Sequence, residues 1–248
     1  MMKDKPISEK IEELFNEAFY LINSTDIERN NENYCFLIEH DSQYLKKKKF
    51  IYWASYLEYE KAIILFNQII EIDSNYYLAY TFLGVAKYQT EKYKDAVADL
   101  TKAIEINPNY AEAYFRRGIV LKEFQYYNYE GAIKDFTKAI EIDPKYKDAY
   151  FNRALIKRKE GYFEEAIEDF TKAIEIDPNN AILYNKRGEV KKYLNDYVSA
   201  IADFSKAIEI DWYYSSAFYN RAIIKEKIGD LEGSKNDMAM YHSLTKGK

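Results

Sequence analysis

Two histidines and one cysteine are the whole supply of imidazole and thiol side chains in this sequence. Cys35 and His40 stand five residues apart beside a polar stretch. That is neither a recognised zinc spacing nor a nucleophile–base dyad with a third group to orient it. One cysteine makes no intramolecular disulfide and no multi-cysteine metal site. No glycine-rich phosphate loop occurs. Carboxylates are plentiful, but most recur at equivalent places along the chain, as a scaffold's do. The expectation is a protein that is not an enzyme and carries no cofactor or metal.

The charges that do recur are arginines, at Arg117, Arg153, Arg187 and Arg221, and aspartates, at Asp99, Asp135, Asp169, Asp203 and Asp237. The elements that must position them are helices. Residues 132–144 read AIKDFTKAIEIDP, and near-copies occupy 96–108, 166–178 and 200–212. Ala132, Ile133, Phe136, Ala139 and Ile140 trace one face of an α-helix. Asp143 and Pro144 end it, because proline has no amide to donate and biases its predecessor away from helical angles. One such helix cannot bury its face alone, whereas a row of copies can.

Reading outward, 7–22 has helical apolar spacing through Ile7, Ile11, Leu14, Phe15, Ala18 and Ile22. Polar breaks are expected at 23–26 and 30–33, which leaves 1–42 as an N-terminal helical extension. From residue 43 a two-helix repeat sets in, weakly at first, as 43–76, 77–110, 111–146, 147–180, 181–214 and 215–248. In 43–76 one helix would carry Phe50, Trp53, Ala54 and Leu57, and a second Ala62, Phe66 and Ile69. From the second repeat on, position 8 is Gly or Ala and position 20 is nearly always Ala. Small residues there let the two helices of a hairpin approach, while large ones at positions 4, 17 and 24 fill the gaps. The chain has 26 tyrosines, and within 77–214 most fall at positions 4, 17 and 34, as do Tyr110, Tyr114, Tyr146, Tyr150 and Tyr184, which assigns them to packing.

Net charge is −5, which disfavours a sequence-independent grip on nucleic acid or an anionic membrane surface. No apolar run approaches the roughly 18 residues of a membrane span, and the N-terminus lacks an apolar signal core. A cytoplasmic location is expected. With 8 glycines and 4 prolines, flexible linkers between tethered domains are not expected either.

The pattern aromatic-Leu-Gly…Ala…Phe…Ala…Pro, as in Tyr80, Leu83, Gly84, Ala96, Leu100, Ala103 and Pro108, resembles the tetratricopeptide repeat family over roughly 43–248. The resemblance implies an all-α, right-handed superhelical solenoid of antiparallel helix pairs, with five to six repeats plus an N-terminal helix. It also implies a concave groove, lined by first helices, that binds a peptide or helical segment of a partner protein, and no catalysis. The chain is expected to be a monomer or to self-associate weakly.

Position 7, usually leucine in that family, is arginine in four repeats here. Pairing it with Asp at position 23 within a repeat leaves mismatches, since Leu83 would face Asp99 and Lys49 would face Leu65. Pairing between consecutive repeats leaves none: Leu65 faces Leu83, and Asp99, Asp135, Asp169 and Asp203 face Arg117, Arg153, Arg187 and Arg221. The expectation is therefore a bridge between repeats, with Asp237 solvated or satisfied otherwise. Arginine's planar fork suits it to such a carboxylate grip.

The family's ligand positions map onto Leu78, Thr81, Val85 and Tyr88, then Glu112, Phe115, Ile119 and Lys122. They continue through Asp148, Phe151, Asn152, Leu155, Arg158 and Lys159, then Ile182, Asn185, Lys186, Glu189 and Lys192, and end at Tyr219, Ile223 and Glu226. This is an apolar floor with cations along one side, suited to a segment with apolar anchors and some acidic residues. A clamp for a chaperone tail's C-terminal carboxylate is not expected. Asn152 and Lys186 fit it, but Phe115, Ile119 and Ile182 occupy its other slots. Two further features stand out: the run Lys46, Lys47, Lys48 and Lys49, and the tyrosine-rich insertion at 125–129. Two rival readings are head-to-tail self-association, pairing Lys49 with Asp237, and a regulatory subunit whose helix 7–22 occludes the groove.

Overall fold

The computed structural model describes residues 6–33, 42–123 and 128–245, with side chains described for 6–22, 56–123 and 128–245. Cys35, His40, Gln125, Tyr126 and Tyr127 lie outside the described residues, as do the side chains of the lysine run. The chain is an all-α helical-repeat solenoid, and its contacts divide it into an N-terminal body, Met1–Ile142, and a C-terminal body, Asp143–Lys248.

The N-terminal body pairs α1 (Ile7–Asn33) with α2 (Ser42–Ile72), α3 (Tyr77–Gln89) with α4 (Tyr93–Ile106), and α5 (Ala111–Glu123) with α6 (Tyr129–Ile142). The C-terminal body pairs α7 (Lys147–Lys159) with α8 (Phe163–Ile176), α9 (Ala181–Tyr193) with α10 (Tyr197–Ile210), and α11 (Ser215–Lys227) with α12 (Leu231–Thr245). In each body every helix also packs on the next one in the row.

The beginning of the chain differs from expectation. Residues 43–72 make no hairpin, because α2 runs unbroken from Ser42 to Ile72. Nor does 23–26 break α1, which continues to Asn33. Asn, Ser, Thr and Asp each cost a helix under about 1 kcal/mol, too little to end one that is held elsewhere. The helix 7–22 is therefore no separate extension but the antiparallel partner of α2. Ala18 and Ile22 are buried beside Tyr59, Ala62 and Phe66. Phe15 lies 6.0 Å from Phe66 and 5.8 Å from Phe82, both edge-on. With its apolar face spent in this core, α1 does not occlude a groove.

Second helices α2, α4, α6 and α10 end in the same way. The side chain at Asp73, Asn107, Asp143 or Asp211 accepts the amide two residues on, at 2.9–3.2 Å. This Asx turn explains why Trp212 stands in the proline slot without loss of the bend: the acid makes the turn, and proline only supports it. The turns inside the hairpins need a positive φ, supplied by Gly161 (86°) and Gly229 (87°) and by Asn195 (60°). Glu91 holds the same place at φ 62°, where a Cβ costs about 1–2 kcal/mol. Glu91→Gly is expected to raise stability by about 0.5–1 kcal/mol in urea unfolding, after glycine's own entropy cost is subtracted.

Small residues at position 8 do admit close approach. A Cβ on Gly84 would lie 2.6 Å from the Leu100 side chain, and one on Gly188 would lie 2.8 Å from the Phe204 ring. Positions 8 and 24 of one hairpin therefore share a layer, sixteen residues apart.

That layer overturns the expected charge pairing. Arg187 donates from Nε and Nη2 to Asp203 at 3.0 and 2.7 Å, within its own hairpin. Arg117 with Asp135, Arg153 with Asp169 and Arg221 with Asp237 do the same, at 2.6–2.9 Å. The link to the preceding hairpin exists, but through a hydroxyl: Nη1 of Arg117, Arg187 and Arg221 donates to Thr101, Thr171 and Ser205. Matching like with like could not see this, because the true offset leaves Leu83 opposite a carboxylate. Asp237 is accordingly not solvated but buried, held by Arg221 and by Lys225 at 2.9 Å. Its carboxylate is thereby engaged within its own hairpin and does not offer Lys49 of another copy an open partner. The aromatic at position 4 joins the arrangement: the Arg153 guanidinium sits 5.6 Å from the Tyr150 ring, and Arg187 5.7 Å from Tyr184.

Candidate functional site: the first-helix faces

In the N-terminal body, α3 and α5 meet at a cleft of about 30 Å³ lined by Val85, Tyr88, Ile119 and Arg116 among others. Several of the expected contact residues are consumed by the fold. Thr81 is fully buried and donates to the Tyr77 carbonyl. Phe115 is buried, with its ring 5.8 Å from that of Phe136. The Tyr88 hydroxyl bonds the Glu123 carboxylate, Lys122 lies 3.6 Å from the same carboxylate, and Leu78 is half-buried. What remains is a shallow and largely apolar surface.

The C-terminal body is different. Helices α7, α9 and α11 stand side by side and share a connected set of polar groups. Asn220 Nδ2 donates to Asn185 Oδ1 at 3.1 Å, and Asn185 Nδ2 donates to Glu189 Oε1 at 2.9 Å. Arg158 reaches Glu189 Oε2 at 2.5 Å, and Lys186 spans both carboxylate oxygens at 2.9 and 3.1 Å. Lys192 donates to Asn220 Oδ1 at 3.2 Å. Asn185 is 0% exposed, so its amide acts as a strut and not as a ligand group. The helix spacing explains the assembly: Asn185 and Glu189 are one turn apart on a single face of α9, and Arg158 approaches from α7 and Asn220 from α11.

The charges do not cancel. Arg158 and Lys186 share one carboxylate, while Lys192 is held by an amide oxygen, so this set of three cations and one carboxylate carries two positive charges in excess. Tyr214 borders the set, with its hydroxyl 3.4 Å from Asn185 Nδ2. Burial, with the Glu189 carboxylate adding to it, pushes its phenol up to about 12, so it remains protonated at neutral pH. Ile182, one turn before Lys186 on α9, and Tyr219, next to Asn220 on α11, are exposed, while Phe151 and Leu155 are half-buried and pack with Phe170. Asn152 bonds its own helix at the Asp148 carbonyl.

Sequence reasoning placed Arg158, Asn185, Lys186, Glu189 and Lys192 on ligand positions, and the structure brings those five together. It missed Asn220 and Tyr214. Asn220 sits at position 6 of its repeat, the position of Asn152 and Lys186, and extending that position to the last repeat would have found it, whereas Tyr214 at position 34 reads as packing. Among the described residues no group of His, Cys, Asp or Glu is placed to hold a metal ion, and no helix is long and apolar enough to cross a membrane.

Models of the TPR repeat match residues 84–123 and 128–161, and models of the tetratricopeptide repeat match 148–180 and 181–211. A 65-residue stretch is 32% identical to tetratricopeptide repeat protein 28 of Mus musculus, covering 26% of this chain and 3% of that protein. A 60-residue stretch is 37% identical to serine/threonine-protein phosphatase 5 of Homo sapiens, covering 24% of this chain and 12% of that protein. The chain thus spans only a small part of the length of these relatives. Among solved structures, YrrB, a TPR protein with an unusual peptide-binding site, superposes with a TM-score of 0.63 at 20% identity, covering 73% of this chain and 92% of that one. MamA from Desulfovibrio magneticus RS-1 gives 0.64 at 15% identity, covering 69% and 96%. At these identities the likeness is one of fold.

Proposed function

The chain belongs to the tetratricopeptide repeat family, and from that premise we propose that the first-helix face of its C-terminal body binds a peptide segment of a partner protein. The segment carries acidic residues and apolar anchors. Repeats of this kind form protein-interaction scaffolds that are generally non-catalytic, and the mechanism here is binding alone.

One observation carries the reading. Arg158, Lys186 and Lys192 are fixed in place by Glu189 and Asn220, with Asn185 bracing both. Lysine and arginine side chains otherwise lose about 1.5–2 kcal/mol of rotamer freedom when ordered. Holding them beforehand lowers the cost of receiving a carboxylate. Ile182 and Tyr219 supply apolar contact. No bond is made or broken; specificity comes from where the carboxylates of the segment stand relative to its apolar side chains.

A peptide-display selection on the full chain tests this. The expected outcome is enrichment of sequences that place Asp or Glu beside large apolar residues. The selected peptide's Kd is expected to rise at least tenfold on Lys186→Glu/Lys192→Glu, with helicity and melting temperature kept. Peptides without acidic residues, or an unchanged Kd in that variant, would overturn the proposal.

A further inference from the structure

The turns that join first to second helices in the C-terminal body form a second surface, away from the first-helix face. Each turn leaves large apolar side chains in water: Tyr162 in the first, Tyr193 and Val198 in the second, Ile228 and Leu231 in the third. Val198 is 83% exposed and Leu231 67%. Contacts made by their immediate chain neighbours tie the three turns into one row, a ridge. The Phe163 ring stacks on Tyr193 at 5.7 Å, tying the first turn to the second. Lys227 lies 5.5 Å from the Tyr197 ring, tying the second to the third. Isolated exposed apolar residues need no explanation, but a contiguous row does.

The rim of the ridge has one dominant sign. Glu160, Glu164, Glu165, Asp196, Asp230 and Glu232 are all exposed within these turns, against exposed Lys159 and Lys227. Asp196 and Asp230 are anchored at helix starts, accepting the amides of Ser199 and Gly233. An anionic lipid surface or a nucleic acid would be repelled by this rim. With neighbouring helices about 8–10 Å apart, three turns span roughly 20 Å, the length of a helix of about 14 residues.

We infer that this acid-rimmed ridge is a docking surface for a basic amphipathic helix of a partner protein. The apolar face of that helix covers Tyr193, Val198, Ile228 and Leu231, and its lysines or arginines meet the six carboxylates. The surface is independent of the first-helix face, which takes the opposite charge.

The test uses the full chain and a capped helical peptide of about 14 residues, with leucines on one face and lysines on the other. A control peptide of the same composition has its order scrambled so that no apolar face forms. The amphipathic peptide is expected to bind at least tenfold tighter than the control, and to weaken as salt rises. Val198→Ser/Ile228→Ser/Leu231→Ser is expected to abolish that preference. These positions are exposed, and unchanged circular dichroism verifies the fold. Lys186→Glu/Lys192→Glu is expected to leave peptide binding intact, which separates this site from the one above. Equal binding of both peptides, or binding indifferent to the ridge variant, would overturn the inference. So would a chain that self-associates through the ridge, becomes monomeric in the triple-serine variant and fails to bind the peptide.

Discussion

Asp203→Leu is expected to cost about 3–5 kcal/mol in urea unfolding, as are the equivalent changes at Asp169 and Asp237, which are held by the same kind of Arg–Lys pair. Asp203 is nearly sealed from solvent, with 6% of its side chain exposed, and it receives three donors: two from Arg187 and one from Lys191 at 2.8 Å. Removing the carboxylate leaves both cations facing each other in a site where 16–17% of each side chain reaches water. Arg187→Leu alone is expected to cost less, because Lys191 still covers the acid, and it also forfeits the bond to Thr171. The triple change Asp203→Leu/Arg187→Leu/Lys191→Leu is expected to recover most of the loss. Replacing a whole buried ion cluster by apolar side chains is often neutral, whereas breaking it strands charge. A single Asp203→Leu variant that unfolds at the same urea concentration as the parent would contradict this account.

Asp99 is expected to show the opposite sign. It holds the equivalent place in its hairpin, but the residue across from it is Leu83, not arginine. Lys87 lies 2.6 Å from Oδ2, yet that buried oxygen has no aligned hydrogen bond. Burial pushes the Asp99 carboxyl above the ordinary carboxylate range, and the neighbouring Lys87 only partly offsets it. At neutral pH the ionised form therefore costs stability. Asp99→Leu is expected to gain about 1 kcal/mol, because burial costs the carboxylate more than its ion pair with Lys87 returns.

The pH dependence follows in sign. Because the folded pKa of Asp99 is raised, the native state binds the proton more tightly. The deficit of the parent relative to Asp99→Leu shrinks as pH falls through the folded pKa towards the unfolded value of about 3.9. Asp237 behaves in reverse. Burial raises its pKa, but Arg221 and Lys225 together lower it below the ordinary value. It stabilises the fold above the unfolded pKa, and that contribution is lost as pH falls through the lower, folded one. Melting curves of the parent, Asp99→Leu and Asp237→Asn between about pH 7 and pH 3 separate the two. A gap between parent and Asp99→Leu that widens on acidification would sink the assignment.

Both predictions turn on a contact the sequence concealed. That Arg and Asp recur at fixed positions was legible, and so was their partnership. Which copy of each meets which was not. Testing for charge matches favoured neighbours in the row, since it counted Leu83 opposite Asp99 as an error to be avoided. The structure contains that mismatch and covers it with Lys87, while Asp135, with Leu121 where the others have lysine, relies on Arg117 alone. Similarly, the face carrying Arg158, Lys186 and Lys192 could be mapped by position, but the struts Asn185 and Asn220 could not be told from contact residues. A hydrogen bond between two asparagines leaves no mark in spacing.

The sequence by itself determined the helix count from residue 77 onward, the places where most second helices end, and which positions carry small and which carry large side chains. Each of these is local: a helical apolar period, an Asp that turns the chain, a small residue at a fixed position. The tertiary structure alone decided that α1 is the first helix of the first pair, that Arg and Asp join within hairpins, and which cations are held ready. Those outcomes depend on which face of one helix meets which face of another. That choice is set by packing summed over a whole hairpin, where single polar residues in 23–33 or a lone leucine opposite a carboxylate are outweighed.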